Sequence, residues 1–213
     1  MACSTGRLSA PKAGEPFPYT QMKVRLTFTE ELLGTASADP EIHREYIASK
    51  SPEAKTIEEE VAAVGVEEVF DKGKSVFPRH EGKAFLYDYQ IKGFFKDSCS
   101  ALARVKTTKS SELKAFKKVI DGLIFVFPRR IYLQMPSTVG ECSRPLRAQT
   151  AQGERVALAT SESAPIDTVI EFEVNCLDPK LEDVLTEWLD YGRLRGLGQW
   201  RNSGKGRFNW AKA

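Results

Sequence analysis

Along this chain the spacing of apolar residues switches from two to about 3.6 and back, which limits the fold to sheets with helices laid against them. In Lys23-Val24-Arg25-Leu26-Thr27-Phe28-Thr29 polar and apolar residues alternate, so Val24, Leu26 and Phe28 share one face of a first strand. From Tyr89 to about Val105 the period lengthens. Ile91, Phe94, Phe95, Leu102 and Val105 then fall on one side of a helix, with Asp88 as its N-cap. A second helix is predicted over Ser111–Asp121 and ended by Gly122, followed by strands over Leu123–Phe127 and Arg130–Gln134 that break at Pro128. Ser143–Leu158 reads as extended, without a clean period. Thr168–Val174 alternates again, and Asp178-Pro179 opens an amphipathic helix carrying Leu181, Val184, Leu185, Trp188 and Leu189, which Gly192 is predicted to close.

The order strand, helix, strands, strand, helix, strand predicts an α+β domain with a ferredoxin-like (split βαβ, RRM-like) core. Two segments fall outside it. Residues 1–21 lack apolar periodicity and carry Pro11, Pro16 and Pro18, and so read as a flexible extension; residues 22–213 read as one domain. Residues from about 35 to 79 read as an inserted arm, with a capping box at Thr56-Ile57-Glu58-Glu59 ahead of a short helix.

Composition narrows the function classes. A chain of 213 residues, 41% hydrophobic and 28% charged, is long enough to bury a core. It has no apolar run of membrane-spanning length, and no secretion signal is read at its start, so a cytoplasmic location and no membrane partner are expected. Cys3, Cys99, Cys142 and Cys176 form no C-x-x-C pair, so neither a metal site nor a disulfide framework is expected, and no cofactor is implied. The formal charge is +2, so a polyanion site would have to come from local clustering.

That clustering is densest in Gly192-Arg193-Leu194-Arg195-Gly196-Leu197-Gly198-Gln199-Trp200-Arg201-Asn202-Ser203-Gly204-Lys205-Gly206-Arg207-Phe208-Asn209-Trp210, which has five basic residues, five glycines and no acid. Glycines let an anion approach main-chain N–H groups, and Arg and Lys add charge-assisted bonds to phosphate oxygens. Arg193, Arg195, Gly196, Gly198, Gln199, Arg201, Gly204, Lys205, Gly206 and Arg207 are therefore candidate RNA-binding residues. The spacing is not that of a nucleoside-triphosphate loop. Trp200 is a candidate for base stacking, whereas Phe208 and Trp210 alternate with Arg207 and Asn209 and are predicted to fill the core side of a last strand. Lys92 and Lys96, one turn apart near a helix start, are further anion candidates, as are Arg129 and Arg130 beside Pro128 and Arg144 and Arg147 around Pro145.

Three segments resemble the RAMP superfamily, the repeat-associated RNA-binding subunits of CRISPR effector complexes. Strand one with Leu32-Leu33-Gly34 resembles the family's opening strand and turn. Tyr87-Asp88-Tyr89-Gln90-Ile91-Lys92-Gly93-Phe94-Phe95-Lys96 resembles the segment that begins its first helix, although Tyr87-Asp88-Tyr89-Gln90 replaces the usual Pro-Gly-Ser-Ser type of turn. Arg195-Gly196-Leu197-Gly198-Gln199 through Gly204-Lys205-Gly206-Arg207-Phe208 is similar to its glycine-rich loop. The resemblance implies a divergent, stand-alone member that holds single-stranded RNA as a backbone subunit does, with other protein subunits or copies of itself as partners. A mobile-element protein that imitates or inhibits a defence complex is one alternative, and a metal-independent endoribonuclease another. For the latter, His43 and His80 are the only histidines, and Asp39 occupies the neighbourhood where target-cutting relatives carry an Asp. No clustered arrangement supports catalysis, so no catalytic residue is assigned and the reading leans against an enzyme.

Overall fold

The computed structural model describes residues 19–37, 74–150 and 153–213; within the strands, side chains are described except at 146–150 and 153–158. Asp39, His43 and the predicted capping box at Thr56 lie outside the described residues, as does most of the predicted arm.

Strand β1 spans Thr20–Phe28, followed by two short strands, β2 (Leu32–Leu33) and β3 (Ala36–Ser37). Beyond the undescribed stretch come β4 (Lys74–Val76), β5 (Arg79–His80) and β6 (Lys83–Tyr87), then helix α1 (Asp88–Leu102), a 3-10 turn at Lys109–Glu112, and helix α2 (Phe116–Leu123). Strands β7 (Ile124–Phe127), β8 (Arg130–Tyr132), β9 (Gly140–Thr150), β10 (Gly153–Ala164) and β11 (Val169–Cys176) precede helix α3 (Leu181–Arg195). A 3-10 turn at Arg201–Ser203 and strand β12 (Phe208–Lys212) close the chain.

The central sheet runs β12-β1-β11-β7 with every neighbour antiparallel. Alternation sets its two faces, as the sequence predicts. Met22, Val24, Leu26 and Phe28 of β1 and Ile170, Phe172 and Val174 of β11 are buried against Ile91, Phe94 and Phe95 of α1 and Leu185, Trp188 and Leu189 of α3, whereas Lys23, Arg25 and Glu171 stand exposed on the opposite face. A second sheet, β2-β10-β4-β3, carries β9 on its rim, and β5-β6-β8 forms a third. The architecture is α+β, with three helices and several sheets among the described residues. No helix in them is long and apolar enough to cross a membrane.

Several boundaries differ from those predicted, each for a local reason. Asp88 is not the N-cap of α1. Tyr87 holds that position, its N–H donating to Gln90 Oε1 at 2.8 Å, while Asp88 pairs with Arg129. The helix stops at Leu102, so Val105, expected on the buried side, is 49% exposed. The second helix starts five residues late. Ser110 is drawn into the core instead, where it accepts from Trp188 Nε1 at 2.9 Å and donates to Glu187, holding the preceding segment as a 3-10 turn. Gly122 does not end that helix but lies inside it.

Gly192 likewise lies within α3, not at its end. A Cβ there would sit 2.1 Å from the Phe208 ring, so the glycine admits the aromatic of β12 against the helix; Gly196, at φ 76°, is the cap. Phe208 is fully buried and Trp210 half-buried, its Nε1 donating to Asp190 at 2.9 Å. The segment without a clean period is a long hairpin. Strands β9 and β10 pair from Thr150↔Gly153 to Gly140↔Ser163, and Pro145, which lacks an N–H, is tolerated because β9 pairs with β10 alone.

Candidate nucleic-acid interface

The connection from α3 to β12 is folded back on itself. Leu197 N–H donates to Gly206 O at 2.8 Å, Gly206 N–H to Glu31 O at 2.8 Å, and Thr29 N–H to Arg207 O at 2.9 Å, so both arms of the loop are laced to each other and to the end of β1. Two of its arginines are also anchored to α1. Asp97 Oδ2 accepts from Arg195 Nε at 2.9 Å and from Arg201 Nη1 at 2.7 Å, while Arg195 Nη1 donates to Asn202 Oδ1 at 2.6 Å.

Lys205 Nζ donates to Glu31 Oε2 at 2.6 Å. That bond, against the opposing effect of burial, holds the Glu31 carboxyl below the ordinary value of 4.5 and the Lys205 ammonium above 10.5. A depressed carboxylate stabilises the fold above its unfolded pKa and loses that contribution as pH falls through the folded value. The raised lysine contributes below 10.5 and fades only as pH rises through its own folded value. Glu31→Gln is therefore expected to melt below the wild type at neutral pH, with a gap that closes as pH falls below 4.5. Thermal scans along the acid limb check this; a gap that does not change with pH would mean that the ionisation of Glu31 contributes nothing.

Arg144 reaches the loop from a different element. It lies on β9 opposite Ala159 of β10, and its guanidinium carbon stands 3.7 Å from the centre of the Trp200 ring. Its Nε and Nη1 are both shut off from solvent with no hydrogen-bond partner among the described residues, and this desolvation lowers its pKa. Arg144, Arg195, Gln199, Trp200, Arg201 and Asn202 surround a depression of about 430 Å³. Three guanidinium groups line it without a carboxylate among them, and Asp97 of α1, bonded to Arg195 and Arg201, leaves an excess of two positive charges. Such a surface accepts an anion with several oxygens better than a neutral ligand.

The other candidate residues are distributed unevenly. Gly196, Gly198, Gly204 and Gly206 all take positive φ and shape the loop. Gln199 Nε2 donates to Ser75 Oγ at 3.4 Å, tying the loop to β4, and Arg207 Nε donates to Leu194 O at 3.1 Å. Arg193 is exposed and lies 3.9 Å from Asp190. Lys92 and Lys96 are not brought to the loop. Lys96 pairs with Asp121 of α2 at 2.6 Å, and Lys92, its pKa lowered by burial, lies 5.0 Å from the centre of the Phe125 ring.

Arg129 pairs with Asp88 at 2.5 Å and stands 5.3 Å from the ring centres of both Tyr87 and Tyr89; Arg130 faces Phe85 at 5.9 Å. Of Arg147 only the backbone register, opposite Val156, is described. His80 Nδ1 lies 3.1 Å from the Tyr132 hydroxyl.

What the sequence reading missed are the acids that hold the loop. Asp97 was legible in principle, since Tyr89, Gly93 and Asp97 recur at intervals of four and share one face of α1. With Thr35, Gln90, Gly198 and Arg201 they line a second hollow, a cleft of about 290 Å³ beside the cationic depression. Glu31 carried no such signal.

Neither family models nor curated proteins match the chain. Among solved structures, the chain is similar to one in the cryo-EM structure of the Type III-B Cmr-beta bound to cognate target RNA, with a TM-score of 0.54 and 12% identity. The match covers 91% of this chain but 59% of that one, so the protein spans about three fifths of its neighbour's length. The crystal structure of Cmr6 from Pyrococcus furiosus matches at a TM-score of 0.46 and 12% identity, over 90% of this chain and 97% of that one. At 12% identity the first likeness speaks to the fold alone.

Proposed function

We propose that this protein binds single-stranded RNA by its sugar-phosphate backbone, as a divergent RAMP-like subunit that works with other protein subunits or copies of itself. The observation that carries the reading is the convergence of Arg144, from the hairpin, on Arg195 and Arg201 of the glycine-rich loop. A guanidinium that gives up water at two nitrogens without gaining a bond carries a poorly compensated charge, which an anion in the depression would offset. Phosphate oxygens suit that role, and Trp200 beneath Arg144 adds an aromatic surface of the kind on which nucleic-acid bases stack.

The fold supports the same reading at a coarser level. Strand order β12-β1-β11-β7, with α1 after β1 and α3 between β11 and β12, matches the order of a ferredoxin-like core and supports that reading. The structural neighbour with the higher TM-score comes from a structure of Cmr-beta bound to cognate target RNA. RNA-binding positions are assigned to Arg144, Arg195, Gly196, Gly198, Gln199, Arg201 and Arg207.

Fluorescence anisotropy with a short single-stranded RNA, titrated over a range of salt concentrations, tests the proposal. Affinity is expected to fall linearly on a double-logarithmic plot, with a slope of about −0.7 for each phosphate neutralised. No binding at low salt would end the reading.

A further inference from the structure

We propose that the cleft beside the cationic depression receives one unstacked nucleobase, whose pairing edge donates an N–H to Asp97. The inference rests on the RNA reading above and gives its site a contact with one base. Gly198 and Arg201 line both hollows, so a nucleotide whose phosphate meets Arg201 has its base within reach of the cleft. At about 290 Å³ the cleft lies at the lower edge of small-ligand sites, roughly 300–1,000 Å³. Leu86, Phe94 and Leu197 supply apolar wall, and Tyr89 an aromatic one.

The polar groups are few and their remaining bonding capacity is defined. Both arginine bonds to Asp97 land on Oδ2, which leaves Oδ1 without a partner among the described residues. An ionised carboxylate only accepts, so this atom calls for an N–H or O–H from whatever enters. It also repels phosphate, which sets the cleft apart from the depression. Gln90 is fixed at both ends: Oε1 accepts from Tyr87 N–H, and Nε2 donates to Thr35 Oγ1, leaving one amide N–H and the threonine O–H to donate. An acceptor with donors near it matches a base edge that sets an N–H beside a ring nitrogen or carbonyl, as the pairing edge of every standard base does.

The experiment compares base-bearing and fully abasic oligonucleotides of equal length on the whole protein by anisotropy. The abasic strand is expected to bind about tenfold or more weakly with the same salt slope, since one stacked base contributes roughly five- to 150-fold. A uracil homopolymer should bind tighter than one methylated at the ring N3, which lacks the donor N–H. Asp97→Asn, checked for folding by its melting curve, should turn its carbonyl to the arginines and its NH₂ into the cleft, and so erase or reverse that preference. Equal binding of abasic and base-bearing strands, with salt dependence intact, overturns the base pocket and leaves backbone binding standing. Failure of both strands to bind overturns the RNA reading itself.

Discussion

Replacing Arg144 with methionine is expected to weaken single-stranded RNA binding by about ten- to 150-fold while leaving the melting temperature unchanged or raised. Bonds to charged partners contribute about 1.5–3 kcal/mol each, and the loss of one phosphate contact corresponds to that range. Arg195 and Arg201 are held by Asp97 in the free protein, so their removal would loosen the fold and confound the result. Arg144 is different. Its Nε and Nη1 are desolvated and unbonded among the described residues, so the free fold bears a penalty that methionine relieves, while methionine still covers the Trp200 ring. The guanidinium contact with that ring, about 0.5–2 kcal/mol, is the term that methionine gives up. The salt slope should also flatten by about 0.7, the share of one neutralised phosphate. Unchanged RNA affinity in a folded variant would remove Arg144 from the interface and take the proposed function with it.

Gly206→Ala is expected to cost about 3 kcal/mol of stability or more, and to abolish RNA binding with it. The residue is buried at φ 71°, where an L side chain alone costs roughly 1–2 kcal/mol, and an added Cβ would stand 1.9 Å from Leu197 O. That carbonyl cannot retreat easily, because Leu197 N–H is bonded to Gly206 O, and Gly206 N–H to Glu31 O. Overpacking against fixed backbone adds another 1–3 kcal/mol or so. Gly122→Ala is the matched control: it lies in α2 with no atom within 4 Å of its added Cβ, and is expected to gain about 0.5–1 kcal/mol. Urea denaturation of the two variants decides the matter. Similar midpoints would mean that the loop is a loose connector and not a built cradle.

The parts of the fold that could be read in advance were those in which one element's own period declares its buried face. β1, β11, α1 and α3 are of this kind, and Val24, Leu26, Phe28, Phe94, Leu185 and Trp188 are buried as their spacing predicts. The boundaries were harder. Val105 continues the α1 pattern yet is exposed, because the chain leaves the helix at Leu102; Gly192 looks like a stop signal yet serves to admit Phe208. The β9–β10 hairpin was missed as well. Its pairing is fixed by backbone register over a long stretch, for which the side chains give no regular alternation.

The candidate site divides the same way. Sequence alone was enough to mark the loop from Arg195 to Arg207 as cationic and glycine-rich and to single out Arg144 and Trp200, since charge and backbone freedom are properties of residue type. Only the tertiary structure decided which cations act together. It brought Arg144 across from the hairpin onto Trp200, locked Arg195 and Arg201 to Asp97 and Lys205 to Glu31, and turned Lys92 and Lys96 toward α2 and β7. The physical reason is that ion pairing acts over a few ångströms between residues as many as 174 positions apart in sequence, so a cation's partner is set by packing and not by its neighbours along the chain.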